Sequence, residues 1–113
     1  MTTIYHNPRC RKSRETLALL EERNESTDIV LYLDNPPSEA ELGKILKQLN
    51  MSPIELVRKS EQIWKDNYKG QSMSDTEIIS AMVKNPKLIE RPIVIKNGKA
   101  ALGRPPENVL NIL

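Results

Sequence analysis

The sequence predicts an α/β domain built on a mixed four-stranded sheet, and three features carry that prediction. From Thr2 to Leu33 a strand pattern, a helix pattern and a second strand pattern follow one another at βαβ spacing. Near the C-terminus, Asn97-Gly98 separates two short apolar runs, a strong hairpin signal because both turn residues must adopt positive φ. Between these parts lie helical patterns opened by Ser-x-x-Glu boxes.

Taken in order, Thr2 to Tyr5 is a short strand, and Ser13 to about Arg23 is a helix carrying Leu17, Leu19 and Leu20. Ile29 to Leu33 is a continuous apolar run suited to a buried strand. The two strands pair in parallel through a right-handed crossover, leaving the first loop at the carboxyl edge of the sheet, where open α/β sheets bind ligands. Asn35-Pro36-Pro37 ends the unit. Ser38-x-x-Glu41 opens a helix with Leu42, Ile45, Leu46 and Leu49 on one face. Short helical segments follow from Pro53 to Tyr68, with Trp64 and Tyr68 as packing residues. Ser74-x-x-Glu77 opens a further helix, which Asn85-Pro86 stops. Ile93-Val94-Ile95 and Ala100-Ala101-Leu102 form the antiparallel hairpin, and Pro105-Pro106 introduces a closing helix from Glu107 to Leu113. The order βαβ, inserted helices, ββα is that of a thioredoxin-like fold.

A chain of 113 residues is read as a single domain, 1–113. Lys and Arg number 17 against 15 Asp and Glu, a balance too even for a general polyanion binder. The basic stretch at residues 9–14 lacks interleaved aromatics, so no nucleic-acid partner is expected. No apolar run approaches the ~20 residues of a membrane span, and no signal-peptide pattern opens the chain. No membrane partner is therefore expected, and one cysteine without such a signal points to a reducing, cytoplasmic setting. No metal site is expected.

That cysteine, Cys10, lies in His6-Asn7-Pro8-Arg9-Cys10-Arg11-Lys12-Ser13-Arg14, between the first strand and the first helix. Helix N-terminal amides are unpaired and electropositive, and four basic side chains stand within four residues of the thiol. Both features favour a thiolate. A lone thiol has no intrachain partner, so its product passes to a thiol from elsewhere. His6 is a candidate to lower the Cys10 pKa or to donate a proton, and Ser13 to hydrogen-bond the thiolate. In a blander reading the cysteine is an inert buried hydrophobe and the charges are a solvated face.

Five motifs extend the pattern: His6-Asn7-Pro8-x-Cys10, Leu31-Tyr32-Leu33-x-Asn35-Pro36-Pro37, Leu56-Val57-Arg58-Lys59, Arg91-Pro92-Ile93-Val94-Ile95 and Gly103-Arg104-Pro105-Pro106-Glu107. Together, in register from Thr3 to about Ile112, they resemble the glutaredoxin-linked arsenate reductase (ArsC) family, above all its short single-domain members. The resemblance implies a thioredoxin-like fold in which Cys10 is the nucleophile and Arg58, Arg91 and Arg104 bind the oxyanion. It also implies that Pro92 is a cis proline beside the cysteine, and it places His6, Asn7 and Ser13 in supporting positions. Arsenate is then the substrate, glutathione a co-substrate rather than a bound cofactor, and glutaredoxin the protein that resets the cysteine. The chain departs from better characterised members at Arg11-Lys12, where they carry Gly-Thr. A glycine lets backbone fold closely around an anion, whereas two long cationic side chains add charge and take up room. The alternative is the related Spx class of RNA polymerase-binding regulators without reductase activity, many of which sense oxidation through Cys-x-x-Cys. Ser13 stands where the second of those cysteines would be.

Overall fold

The computed structural model describes all 113 residues, Met1–Leu113. They divide into two compact units, one formed by Met1–Asn35 with Arg91–Leu113 and the other by Pro36–Glu90.

The first unit contains β1 (Thr2–Tyr5), α1 (Arg11–Glu22), β2 (Thr27–Val30), β3 (Ile93–Lys96), β4 (Lys99–Leu102) and a closing 3-10 helix, Pro106–Ile112. The strands lie in the order β2-β1-β3-β4. β1 runs parallel to β2, with Ile4 opposite Ile29, and antiparallel to β3, with Ile4 opposite Val94; β3 and β4 are antiparallel. This is the mixed sheet of a thioredoxin-like fold. Asn97 and Gly98 take φ of 52° and 77° in the tight β3–β4 turn, as the Asn-Gly pair predicts.

Ile4, Val94, Leu20 and Val109 are fully buried together, joining the two central strands, α1 and the closing helix. Burial of each such side chain contributes about 1.5–3 kcal/mol. Asn24, at φ 56°, ends α1 in a left-handed conformation. The Asn24 N–H donates to Glu21 O and the Glu25 N–H to Leu20 O, a closure that satisfies carbonyls the helix leaves open.

Three expectations are corrected here. First, α1 begins at Arg11 rather than Ser13, because Cys10 is extended (φ −95°, ψ 122°) and its carbonyl accepts the first helical bond, from Arg14 N–H at 3.0 Å. Second, the apolar run is not a buried strand over residues 29–33. β2 ends at Val30, and Leu31 O then accepts from Asp34 and Asn35 N–H in a turn. The edge strand leaves Ile29 47% exposed and the turn after it leaves Leu31 and Leu33 each 39% exposed, so that only Tyr32 of that stretch is fully buried. Third, the closing segment starts at Pro106 and is 3-10 rather than α, with Asn108 N–H bonded three residues back to Pro105 O at 3.0 Å.

The second unit is helical: α2 (Glu39–Leu49), α3 (Pro53–Leu56), α4 (Gln62–Asn67), α5 (Asp75–Lys84) and a 3-10 turn at Pro86–Leu88. Ser38 and Glu41 cap α2 reciprocally, as Ser74 and Glu77 cap α5. Trp64 is buried and stacks on Tyr68 with ring centroids 5.4 Å apart. An isolated antiparallel bridge joins Val57 to Ile89. Around it Arg58 N–H donates to Leu88 O at 2.8 Å and Glu90 N–H to Leu56 O at 2.9 Å, which sets Arg58 and Glu90 side by side.

Candidate active site

The loop His6–Cys10 leaves the carboxyl end of β1 and is folded by its own polar groups. His6 N–H extends the β1–β2 ladder by donating to Val30 O at 2.9 Å. The Asn7 side chain accepts from Arg9 N–H at 3.0 Å, and the Asn7 carbonyl accepts from Cys10 N–H at 3.0 Å. Asn7 thereby curls the chain back so that Cys10 occupies the N-cap of α1. Ser13, fully buried in the first turn, accepts from Asn7 N–H at 3.0 Å and pairs with His6 Nδ1 at 2.6 Å.

No oxygen side chain caps α1; the Cys10 sulfur stands where a capping oxygen would. Partial burial pushes the thiol pKa up. The Ser13 N–H, the Arg91 guanidinium and the Lys12 N–H together outweigh that effect and bring it below the ordinary cysteine range. The sulfur is partly exposed and unpaired with any other cysteine. A sulfur beside a guanidinium and two helix-start amides, all of which favour its ionised form, is also a place where a tetrahedral oxyanion finds donors.

Arg91 precedes Pro92 through a cis peptide bond, and Arg104 precedes Pro105 through another. Two bonds join these segments: Gly103 N–H donates to Pro92 O at 2.9 Å, and Arg104 Nη1 donates to Arg91 O at 3.2 Å. Arg104 thus touches the backbone of the arginine whose side chain meets Cys10. Gly103 closes the arrangement. A Cβ there would overlap Thr16 Oγ1 of α1 and come within 2.7 Å of Pro92 Cγ, so only glycine lets the β4 end pack between α1 and Pro92. Sequence reasoning quoted Gly103 within a motif but missed this role; a glycine directly after a strand and before an Arg-Pro pair was the available signal.

The remaining candidates lie in several settings. The cation acting on the thiol is Arg91, distant in sequence, and not the neighbouring basic cluster. Arg11 is directed outward and ion-pairs with Glu15 at 3.6 Å, its side chain 87% exposed. Arg14 Nη1 donates to Pro8 O at 2.9 Å. The bulk of Arg11-Lys12 is therefore exposed, while the Lys12 backbone faces the sulfur. Burial lowers the His6 pKa and the Arg14 charge lowers it further, so the ring is neutral at pH 7 and brings no positive charge to the thiol. Arg58 lies in the helical unit, 17% exposed, where its guanidinium donates to Glu90 Oε1 at 2.9 Å and pairs with Glu61 at 3.7 Å. No three His, Cys, Asp or Glu side chains converge as a metal site would need, and no helix is long and apolar enough to cross a membrane.

Residues 5–112 match the sequence model of the ArsC family. The chain belongs to the ArsC family. It is similar to YfgD of Escherichia coli K12, described as an uncharacterized protein, at 54% identity over 97% of this chain and 94% of that one. It is also similar to the arsenate reductase of Haemophilus influenzae, at 46% identity over 97% of both chains. Among solved structures, the arsenate reductase from Vibrio cholerae superposes with a TM-score of 0.95, at 47% identity and covering 99% of this ArsC chain and 97% of its own.

Proposed function

We propose that this ArsC protein is a thiol-dependent arsenate reductase in which Cys10 attacks the oxyanion and glutathione with glutaredoxin completes reduction to arsenite. The observation that carries the reading is the placement of a partly exposed sulfur at the N-cap of α1 against Ser13 N–H, Lys12 N–H and the Arg91 guanidinium. Full-length similarity to proteins named arsenate reductase supports the choice of oxyanion.

The residues suit each step. An oxyanion repels a thiolate, and arginine removes that repulsion without competing as a nucleophile. Arg91 and Arg104 are assigned to the arsenate oxygens, with Arg58 as the third expected cation. Cys10 displaces water or hydroxide from arsenic(V) and forms an S–As bond. Glutathione thiolate then attacks the Cys10 sulfur; the S–As electron pair stays on arsenic, which leaves as arsenite, and a Cys10–glutathione disulfide remains. Glutaredoxin removes the glutathione by thiol exchange. One cysteine per chain supports an external thiol, and such exchange belongs in a reducing compartment, which we assign as the cytoplasm. The Spx-like alternative draws no support from the relatives that carry a functional name, which are named arsenate reductase.

The test is arsenite production from arsenate with glutathione and glutaredoxin, comparing wild type with Cys10→Ser and Arg91→Ala. Loss of turnover in the first and a marked fall in the second are expected. Equal rates in all three would remove both assignments.

A further inference from the structure

Pro8, Arg9, Leu31, Leu33 and Asp34 line a cleft of about 290 Å³ together with His6 and Asn7. Leu31 and Leu33 are each 39% exposed there, an unusual setting for two leucines so close together in one turn. The cleft runs up to Arg9, the residue directly before Cys10. Arg9 and Lys12 are exposed around the same loop, and Arg11 is exposed and paired with Glu15, so the cleft joins Pro8 and two leucines to Arg9 and Asp34 and its Cys10 rim is mostly cationic.

We propose that this surface is the docking site for the thiol protein that resets Cys10, a glutaredoxin-class partner with an apolar contact flanked by acidic side chains. The assignment rests on the reductase reading above and adds to it the face on which the second protein sits. The chain's single cysteine requires every disulfide at Cys10 to be resolved by an outside thiol. A protein thiol reaching a partly exposed sulfur must cover the ground beside it. Leu31, Leu33 and Pro8 supply burial for such a contact, and Arg9 and Lys12 favour and orient an acidic approach. In the exchange the partner's thiolate attacks the glutathione sulfur of the Cys10–glutathione disulfide. The old S–S bond breaks, its electron pair leaves on Cys10 as thiolate, and glutathione departs as a disulfide with the partner.

The test starts from purified protein converted to the Cys10–glutathione disulfide with glutathione disulfide, so no arm depends on arsenate. Its reduction is followed with a monothiol glutaredoxin and, separately, with dithiothreitol. In the Leu31→Ser/Leu33→Ser variant the glutaredoxin rate constant is expected to fall about tenfold, the scale of a docking contact, with the dithiothreitol rate unchanged. No fall with glutaredoxin, or an equal fall with both reductants, overturns the docking assignment. A wild-type disulfide that yields to dithiothreitol but resists glutaredoxin removes glutaredoxin as the reductant, and the docking site with it. A protein that fails to reduce arsenate but passes this test loses only its substrate.

Discussion

The Ser13 hydroxyl lies 2.6 Å from His6 Nδ1, a buried contact that ties the first turn of α1 to the loop delivering Cys10. The same oxygen accepts from Asn7 N–H at 3.0 Å, while the Ser13 amide faces the Cys10 sulfur. One residue therefore holds both the loop and the sulfur.

Ser13→Ala leaves the Asn7 N–H without its acceptor in a buried position, at a cost of about 1–3 kcal/mol. Urea unfolding is expected to show this loss together with a lower arsenite production rate. Full stability in the variant would mean that the loop is held by other contacts.

The origin of the lowered Cys10 pKa is separable by alkylation across a pH series. Arg91→Ala removes a hydrogen bond and a positive charge from beside the sulfur, so its curve shifts upward, towards the ordinary thiol value near 8.5. His6→Ala removes a neutral ring, and its curve is expected to overlay that of wild type. An upward shift in the histidine variant would assign His6 an electrostatic role at the thiol.

Gly103→Ala forces a methyl into Thr16 and Pro92, an overpacking that costs about 1–3 kcal/mol. Because Gly103 N–H and Arg104 Nη1 bond to the Arg91-Pro92 segment, reductase activity is expected to fall further than stability alone accounts for. The comparison needs thermal unfolding and turnover measured below the melting transition; unaltered turnover there would mean the segment tolerates the displacement.

Away from the site, Lys96 Nζ at 2.8 Å and Thr2 Oγ1 at 2.6 Å both donate to Glu25 Oε1 and hold its carboxyl below the usual range near 4.3. A carboxylate with a depressed folded pKa adds stability above its unfolded pKa and loses it as pH falls through the folded one. Wild type is thus expected to exceed Glu25→Gln in stability at neutral pH, with the gap closing in acid below about pH 4. A gap independent of pH, read from urea midpoints, would assign the effect to packing instead.

Most helix boundaries and the hairpin were legible because their signals are local. The Ser38 and Ser74 boxes, Asn85-Pro86 and the Asn97-Gly98 turn each act within a few residues of themselves, and the structure carries all four. Cys10 before a helix was legible for the same reason, although the helix starts two residues earlier than its apolar pattern suggested. The run from Ile29 to Leu33 was misread because an edge strand and the turn that follows it carry the same short apolar signature as a buried strand until neighbours are counted.

By itself, then, the sequence determined the order of elements, the one thiol and its place at a helix start, since all of these follow from short-range backbone and side-chain chemistry. Only the tertiary structure decided which cation serves that thiol. Charge density along the chain favoured Arg9, Arg11, Lys12 and Arg14, yet Arg11 and Arg14 turn to Glu15 and to the Pro8 carbonyl, while Arg91 arrives from the start of β3. The physical reason is that β1 and β3 are neighbours in the sheet, with Tyr5 opposite Ile93. That pairing brings residue 91 back to the loop after β1, a proximity set by strand pairing that no local pattern encodes.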